Sequence, residues 1–459
     1  MNSPNHTDDT IAAVITPPGE GGIAALRLAG SRSVDILDQL FHSKQDVPSA
    51  PFVMRLGTLC DREGGTLDEV MAVHMPAGRS YTGLEQVEIF CHGGRLIVRR
   101  ILHEILACGA RAAEPGEFTK LAFLNGRIDL SRAEAVAEII AANSDRSLQA
   151  STEHLLGAYS EHLDTLRERL LDVLADLEAA IDMSDEDIRP NECDQLVAAL
   201  GKVRANITAL LATYKGGRII KEGFRLAIAG RPNAGKSSLF NRLLKQERAL
   251  VNPEPGTTRD YLSEWIDLDG FAVNLIDTAG LRAGGGEVER MGQARSQELM
   301  EKSDLLLWLA DVSEMDWESN VKADLAKAAK PQVLVVANKT DLAENVDIPA
   351  QIDSREVVNI SCKTGAGLDE LRAAIVTHIN VAMPDLTSGL VVTSERHQEK
   401  LRQAEQAVGK TIEALADRES PEITSFELRQ GVDALAEITG RIYTEDVLGR
   451  IFARFCVGK

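Results

Sequence analysis

The chain has 459 residues, 44% of them hydrophobic and 26% charged, which is ordinary for a globular protein with full-sized cores. This length predicts two to four domains. With 50 lysines and arginines against 70 acids, the formal charge is −20. That charge argues against a protein that coats nucleic acid non-specifically, because such binding comes from cations that displace phosphate counterions.

The N-terminal segment, residues 10–130, alternates short apolar runs with turns rich in glycine and proline. TIAAVI is followed by TPPGEGG and then by IAALRLAG, and a helix-like RLIVRRILHEILACGA comes later. This mixture predicts a compact α+β domain. The preceding MNSPNHTDD has no apolar core behind a basic head, so no secretory signal is predicted.

The cysteines stand neither as C-x-x-C nor at zinc-ligand spacing with histidines. They are Cys60, Cys91, Cys108, Cys193, Cys362 and Cys456. We therefore predict neither a disulfide framework nor a structural zinc, and a reducing compartment. Apolar stretches such as Leu305–Ala310 are too short to span a bilayer. The sequence thus predicts a cytoplasmic protein without a membrane partner.

From about residue 131, apolar residues recur every three or four positions, as on one face of a helix. The stripe consists of Tyr159, Leu163, Leu166, Leu170, Val173, Leu177 and Ile181. It predicts core packing in a helical bundle more than a partner-binding surface. Residues 161–195 also carry 12 acids against 3 arginines. This acidic face is either a solvated surface or a surface that meets a basic partner.

Between about 222 and 380, apolar runs of strand length alternate with helical patterns. The runs are FRLAIAG, AVNLIDTAG, DLLLWLADV, QVLVVANKTD and VVNISC. Such alternation predicts a mostly parallel sheet with flanking helices. Helical spacing returns after 391, so the economical interpretation is a helical domain interrupted by an inserted α/β domain. Linkers are expected near 215–222, where Gly216 and Gly217 mark a change in the pattern, and near 382–390.

The strongest chemical signal is GRPNAGKS at 230–237, which matches G-x-x-x-x-G-K-[ST] between a strand and a helix pattern. Backbone N–H groups of such a loop and the helix N-terminus face phosphates. Lys236 is expected to reach the β- and γ-phosphates, and the Ser237 hydroxyl to bind Mg²⁺. The predicted nucleotide-binding residues of this loop are Asn233, Ala234, Gly235, Lys236, Ser237 and Ser238.

Three later motifs, each after a strand, decide between ATP and GTP. They comprise Asp277, Thr278, Ala279 and Gly280; then Asn338, Lys339 and Asp341; and finally Ser361, Cys362 and Lys363. The Asp341 carboxylate can accept hydrogen bonds from N1–H and the 2-amino group of guanine, whereas adenine offers neither donor. Together with the phosphate loop, these motifs predict a GTPase.

The segment PGTTRD at 255–260 resembles the switch I of translation-factor-related GTPases, in which Thr258 would bind Mg²⁺; the alternative is an ordinary turn. Hydrolysis needs a group that orients water, yet Leu281 stands where Ras-like GTPases have glutamine. Glu287 and Glu289 are both candidates for this role, and both have an alternative as solvated surface acids. No arginine stands out as a finger.

Blocks outside these motifs carry a specific resemblance. They are TIAAVITPPGEGGIAALRLAG (10–30), SYTGLEQVEIFCHGG (80–94), EPGEFTKLAFLNGRIDLSRAEAVAEII (114–140) and the final CVGK. With the GTPase motifs, they make the whole chain resemble the MnmE (TrmE) family of tRNA uridine 5-carboxymethylaminomethyl modification GTPases. Within the second block, Leu84, Glu85 and Gln86 depart from the family's usual S-Y/F-T-G-E-D.

The resemblance implies a multidomain α/β and α+β architecture. Its parts are an N-terminal α+β tetrahydrofolate-binding and dimerisation domain (1–125), a helical domain in two parts (126–220 and 382–459, with the CVGK tail), and an inserted Ras-like G domain (221–381). It also implies a homodimer and a heterotetramer with the FAD protein MnmG. Together they would modify C5 of the wobble uridine of certain tRNAs. The one-carbon unit would come from 5-formyl- or methylene-tetrahydrofolate, and the amine from glycine or ammonium.

The resemblance also assigns roles to residues. A K⁺ site would use Asn233, Asn252, Glu254 and Thr257, of which Asn252 replaces the usual threonine. Glu289 matches the catalytic switch II glutamate. Folate contacts fall on Arg27, Glu88, Arg127 and Lys459. Cys456 matches a tail cysteine required for modification, either as a nucleophile or as a small packing residue.

Two other functions are compatible with a GTPase of this organisation. One is a GTPase switch in ribosome assembly, and the folate blocks and the tail speak against it. The other is a folate-binding scaffold with a vestigial GTPase, and the intact Lys236, Ser237 and Asp277 speak against that.

Overall fold

The computed structural model describes residues 9–43, 50–182, 190–246, 263–277, 300–326, 332–343, 346–383 and 390–459. The chain divides into two compact units. One consists of residues 1–137, 160–164 and 435–459, and the other of residues 138–159 and 165–434.

The strands and helices of the described residues are numbered in chain order. The strands are β1 (Ile11–Val14), β2 (Gly21–Ala29), β3 (Phe41–His42), β4 (Arg55–Cys60), β5 (Thr66–Met75), β6 (Gln86–Gly93), β7 (Arg111–Ala112), β8 (Phe224–Gly230), β9 (Ser263–Leu268), β10 (Phe271–Asp277), β11 (Leu305–Asp311), β12 (Val333–Asn338), β13 (Gln351–Ile352) and β14 (Arg355–Asn359). The helices are α1 (Ser33–Leu40), α2 (Arg95–Ala107), α3 (Glu117–Leu124), α4 (Leu130–Ala141), α5 (Asp145–Leu156), α6 (Ala158–Asp182), α7 (Pro190–Glu222), α8 (Lys236–Gln246), α9 (Trp317–Leu325), α10 (Leu368–Ala382), α11 (Glu395–Ala416), α12 (Pro421–Thr439) and α13 (Glu445–Phe452).

The first unit contains a sheet in the order β3-β4-β5-β6-β2-β1-β7. Neighbouring strands are antiparallel except for β1 and β7, which are parallel. The apolar sides of α1 and α2 pack against this sheet and bury residues such as Ile36, Leu37, Ile101 and Ile105. Sheet and helices therefore form the α+β domain that the sequence predicts.

The chain's last residues belong to the same unit and lie against the segment before α3. Val457 forms a β-bridge with Pro115. The backbone N–H of Gly116 donates to the carbonyl of Cys456 at 3.3 Å, and that of Phe118 donates to the carbonyl of Lys459 at 3.1 Å. The tail is thus held through backbone hydrogen bonds.

The second unit contains the predicted α/β sheet, in the order β13-β14-β12-β11-β8-β10-β9. The five strands from β14 to β10 are parallel, and β13 and β9 pair antiparallel at the two edges. Apolar clusters cover both faces. Since the carboxyl ends of parallel strands meet at one edge, the loops that follow β8, β12 and β14 come together there.

The apolar stripe of α6 is a packed face, as its periodicity predicts. Tyr159, Leu163, Leu166, Leu170, Val173 and Leu177 are each at most 4% exposed. Ile181 is half-buried, and acids such as Glu168, Asp172 and Asp176 point to solvent. Burial of this stripe is the free-energy contribution that the helix needs, because isolated helices are marginal in water.

The expected linker at 215–222 is wrong, because α7 continues without a break to Glu222. The glycines that predicted it lie inside the helix. A Cβ on Gly217 would lie 2.2 Å from the carbonyl oxygen of Val392, so this glycine permits a close backbone approach. The other expected linker, at 382–390, falls mainly on residues 384–389, outside the described part.

One described helix segment, Cys193–Glu222, is long and apolar enough to cross a membrane by length and composition alone. A core helix of a globular protein passes the same test, so a single such segment is weak evidence. Its Leu200, Val203 and Ile207 are buried within the protein. All six cysteines are free thiols.

Candidate functional site

The phosphate loop lies between the end of β8 and the start of α8 at Lys236. Gly235 has φ +103°, and a Cβ there would lie 2.3 Å from Asn338 Nδ2, so only glycine fits. Asn233 has φ +62° and is exposed, as is Ser237 in the first helical turn. Loop backbone, helix N-terminus and an accessible hydroxyl therefore converge as an anion and Mg²⁺ site requires.

Lys236 is 8% exposed. Its Nζ donates to the carbonyl oxygen of Arg231 across the loop at 2.7 Å. Ala234 is buried and Ser238 is exposed. The ammonium thus lies within the curvature of the loop, where a lysine contacts β- and γ-phosphates in this class of site.

Asn338 joins the phosphate loop to the last guanine-side loop. Its Nδ2 donates to the carbonyl of Ala234 at 2.8 Å, and its Oδ1 accepts from the backbone N–H of Cys362 at 3.0 Å. The residue is 2% exposed. The side chain forms a hydrogen bond with the backbone of each of the two loops. One buried amide therefore positions the loops relative to each other.

Asp341 lies in the short 3₁₀ turn after β12. Its Oδ1 accepts from Ser361 Oγ at 2.6 Å, and its Oδ2 is 3.8 Å from Lys363 Nζ. The side chain is 15% exposed. A carboxylate oriented by a serine and a cation retains free lone pairs for two donors on a base edge.

Lys339 has φ +69°, and its ammonium pairs with Asp311 at the end of β11. Burial alone raises the pKa of Asp311, but hydrogen bonds from Lys339 and Ser313 outweigh it and lower that pKa. The ion pair therefore fixes the turn in which Asp341 lies.

Arg242 on α8 is a structural contributor that the short motifs do not reveal. Its Nε and Nη2 donate to the carbonyls of Cys362 and Lys363 at 3.0 and 2.8 Å. Burial raises the pKa of the Cys362 thiol to about 11, so this thiol stays protonated at neutral pH. Nothing in the local sequence of α8 signals these long-range contacts.

The remaining predicted residues of the nucleotide site are only partly described. Asp277 ends β10, where its backbone is in register with Ile228 of β8. The others lie outside the described residues: Asn252, Glu254, Thr257, Thr258, Thr278, Ala279, Gly280, Glu287 and Glu289. The structure thus brings together the phosphate-loop and guanine-side residues, and their switch-region partners remain predictions.

The N-terminal unit brings together two predicted folate residues. Arg27 and Glu88 lie opposite each other on β2 and β6. Arg27 Nε donates to Glu88 Oε1 at 2.8 Å, with the side chains 16% and 12% exposed. The guanidinium also lies 5.2 Å from the ring centre of Tyr81 and 5.4 Å from that of Phe118. A half-buried ion pair beside two aromatic rings is suited to a flat polar ring.

Arg127 and Lys459 contact different segments of the same unit. Arg127 Nη1 donates to the carbonyl of Gly78 at 3.0 Å. Lys459 accepts through its carbonyl from Phe118, the residue beside Arg27. Cys456 is exposed, which contradicts the interpretation of its side chain as a packing residue.

The departure from the family pattern at 84–86 has a structural role. Glu85 Oε2 lies 2.5 Å from His74 Nε2, and Glu85 Oε1 accepts from the backbone N–H of Ala77 at 3.1 Å. Burial raises the pKa of Glu85, but these hydrogen bonds outweigh the effect of burial, so the net pKa is lowered. Gln86 Nε2 donates to Glu88 Oε1 at 3.1 Å. Glu85 is therefore held against β5 and the residues that follow it, and Gln86 contacts the predicted folate residue Glu88.

Two family models together match nearly the whole chain. The family model "GTP-binding protein TrmE N-terminus" matches residues 10–127, and "MnmE helical domain" matches 130–456. The tRNA modification GTPase MnmE of Akkermansia muciniphila is 43% identical, covering 98% of this chain and 99% of its own length. That of Aquifex aeolicus is 40% identical, covering 98% of this chain and all of its own. The match to a solved G domain of the T. maritima FeoB iron transporter has 28% identity and a TM-score of 0.27. It covers 34% of this chain and 98% of the FeoB domain. Near-complete matches at this identity, on a chain with a phosphate loop and a guanine-side loop, show that it belongs to the MnmE family of tRNA modification GTPases.

Proposed function

We propose that this GTPase works with the FAD protein MnmG to add a (carboxymethyl)aminomethyl group to C5 of the wobble uridine of certain tRNAs. The one-carbon unit comes from tetrahydrofolate. The observation that carries the proposal is the match to relatives named tRNA modification GTPase MnmE over 98% of the chain. The described geometry adds a phosphate loop with a buried lysine and a separate charged site on the N-terminal sheet.

In the G domain, we assign phosphate binding to the loop N–H groups and Lys236, and Mg²⁺ binding to Ser237 with Thr258. Asp341 selects guanine, while Asn338 and Ser361 hold the guanine-side loops. A Mg²⁺ ion held by Ser237 and Thr258 would neutralise negative charge on the phosphates during hydrolysis. Glu289 orients the attacking water. Asp277, Thr278, Ala279 and Gly280 form the γ-phosphate side.

A K⁺ ion takes the place of an arginine finger in this proposal. Its ligands are Asn233, Thr257 and the backbone carbonyls at Asn252 and Glu254. Of these, only Asn233 lies among the described residues: it is exposed on the phosphate loop and has a left-handed backbone conformation. Extra positive charge beside the γ-phosphate stabilises the transition state.

GTP hydrolysis is therefore expected to be at least about tenfold faster in K⁺ than in Na⁺ buffer, because the smaller ion fits carbonyl ligands at K⁺ distances poorly. Turnover is measured by phosphate release at equal ionic strength. Equal rates in the two buffers would contradict the K⁺ site.

Glu289→Ala should bind GTP normally and lose most turnover, with Glu287→Ala as the matched control. Unchanged turnover in Glu289→Ala would assign the orientation of the attacking water to Glu287 instead.

The folate site of this proposal lies around the Arg27–Glu88 pair, with Arg127 and Lys459 contributing positive charge. Glu88 can accept from the N–H and amino groups of a pterin, and the cations can meet a glutamate tail. The rings of Tyr81 and Phe118, both close to the Arg27 guanidinium, support this placement. Cys456 lies exposed on the same docked tail, and we propose that it takes part in modification.

The proposal extends to organisation and setting. The chain acts in the cytoplasm as a homodimer through its N-terminal domain (1–125), and in a heterotetramer with MnmG. The G domain (221–381) is inserted between the two parts of the helical domain (126–220 and 382–459). The mainly antiparallel N-terminal sheet and the mainly parallel second sheet, with helical sequence on either side of the latter, support this order of domains. The boundary at 220/221 falls inside α7.

Cells that lack this protein are expected to lose aminomethyl-type modifications at wobble uridines, as measured by mass spectrometry of tRNA nucleosides. The unmodified chain should restore them. Glu88→Gln should not, because it removes the acceptor charge opposite Arg27. Glu69→Gln, the same change at an exposed position of β5, should restore them. Retention of the modifications in cells without the protein would contradict the proposed function.

A further inference from the structure

The solvent side of α2 carries basic side chains and no acid. Arg95, Arg99, Arg100 and His103 are all exposed, and their spacing places them on one side of the helix. We call these four residues the α2 basic face. The opposite side packs into the N-terminal core through Ile101 and Ile105. The face is therefore presented by a helix whose orientation is fixed by packing.

The arginines of the α2 basic face lack acidic partners in the described part of the chain. No described carboxylate lies within 4.0 Å of them. Glu104, at the border of the face, is held by Arg62 Nε at 2.9 Å, and this hydrogen bond lowers the pKa of Glu104. Its negative charge is therefore already compensated. Arg402 is an example of an exposed arginine that does have an acidic partner, since it pairs with Glu399.

The total charge makes this face unusual. A chain of formal charge −20 repels a polyanion over most of its surface. A polyanion can then approach closely only where local positive charge is uncompensated. Arg99, Arg100, His103 and the neutralised Glu104 also line a shallow groove of about 300 Å³. Charge and shape thus favour a ligand that carries phosphate groups.

We infer that the α2 basic face binds the phosphate backbone of tRNA. The inference rests on the proposed function, which makes tRNA the substrate. From position 95 to 103 the helix rises about 12 Å, a distance that covers several nucleotides at roughly 3 Å of rise each. Planar guanidinium groups bind phosphate oxygens through paired hydrogen bonds. Such contacts position an RNA without reading its sequence.

The test uses the full chain and fluorescently labelled total tRNA, with affinity measured over a salt series. Arg99→Gln with Arg100→Gln should weaken binding about tenfold near 0.1 M salt and reduce the slope of log affinity against log salt by about 2. Arg99→Lys with Arg100→Lys should keep most of the affinity. The matched control, Arg402→Gln with Lys410→Gln on α11, removes the same charge from an exposed region and should bind as the unmodified chain does. Thermal unfolding verifies that each variant is folded.

Several outcomes would overturn the inference. One is no measurable binding by the unmodified chain at any salt concentration, and another is equal loss in the α2 and α11 variants. Intact RNA affinity with lost binding to the flavoprotein would assign the α2 basic face to a protein partner instead. Failure of the proposed function is read separately, from whether the unmodified chain restores modified wobble uridines.

Discussion

Lys236→Ala is expected to reduce GTP hydrolysis by at least about 10³-fold, measured by phosphate release under saturating GTP. Lys236 is 8% exposed, and its ammonium donates to the carbonyl of Arg231 across the phosphate loop at 2.7 Å. In that position it can move onto the β- and γ-phosphates with little reorganisation. Alanine leaves the loop backbone in place but removes the positive charge. That charge interacts with the phosphates most strongly in the transition state.

Lys245→Ala is the matched control for that substitution. Lys245 lies in the last turn of the same helix and is exposed, so its replacement removes one positive charge without touching the loop. Hydrolysis by Lys245→Ala should equal that of the unmodified chain. Turnover of Lys236→Ala within threefold of the unmodified chain would contradict the role assigned to the loop.

Asp341→Asn is expected to lower GTP affinity by about 100-fold or more and to raise affinity for xanthosine triphosphate. The carboxylate accepts from Ser361 Oγ at 2.6 Å, which orients it toward the base side of the loop. An asparagine presents an N–H₂ group where guanine also presents donors, so two donors face each other. Xanthine has a carbonyl at position 2 and can accept from that amide.

Competition binding with a fluorescent guanine nucleotide measures both affinities. Asp347→Asn makes the same chemical change a few residues later at an exposed position, and it should leave both affinities unchanged. If Asp341→Asn bound GTP as tightly as the unmodified chain, Asp341 would not be the residue that recognises guanine.

The parts of the fold that follow from short-range pattern were predictable. The stripe from Tyr159 to Leu177 is buried as its spacing predicts, and the strand-length runs around the phosphate loop form the parallel sheet. Apolar periodicity and glycine placement are local properties, so a sequence carries them directly. The same holds for Lys236, whose position at the start of a helix follows from the motif.

Contacts between distant segments were not predictable. The glycines at 216–217 predict a linker because glycine usually interrupts helices, but Gly217 permits the close approach of Val392, 175 residues later. The bridging role of Asn338 and the carbonyl contacts of Arg242 likewise depend on which loops the sheet brings together. The pairing of Arg27 with Glu88 depends on strand register, because the two residues meet only when β2 and β6 pair with them opposite each other.

The docked C-terminal tail has a consequence for how the protein is made. The segment around Phe118 leaves the ribosome early, yet its hydrogen-bond partner, Lys459, lies 341 residues later in the sequence. Domains generally fold during synthesis from the N-terminus onward, but this one is completed only after residues 456–459 have left the ribosome.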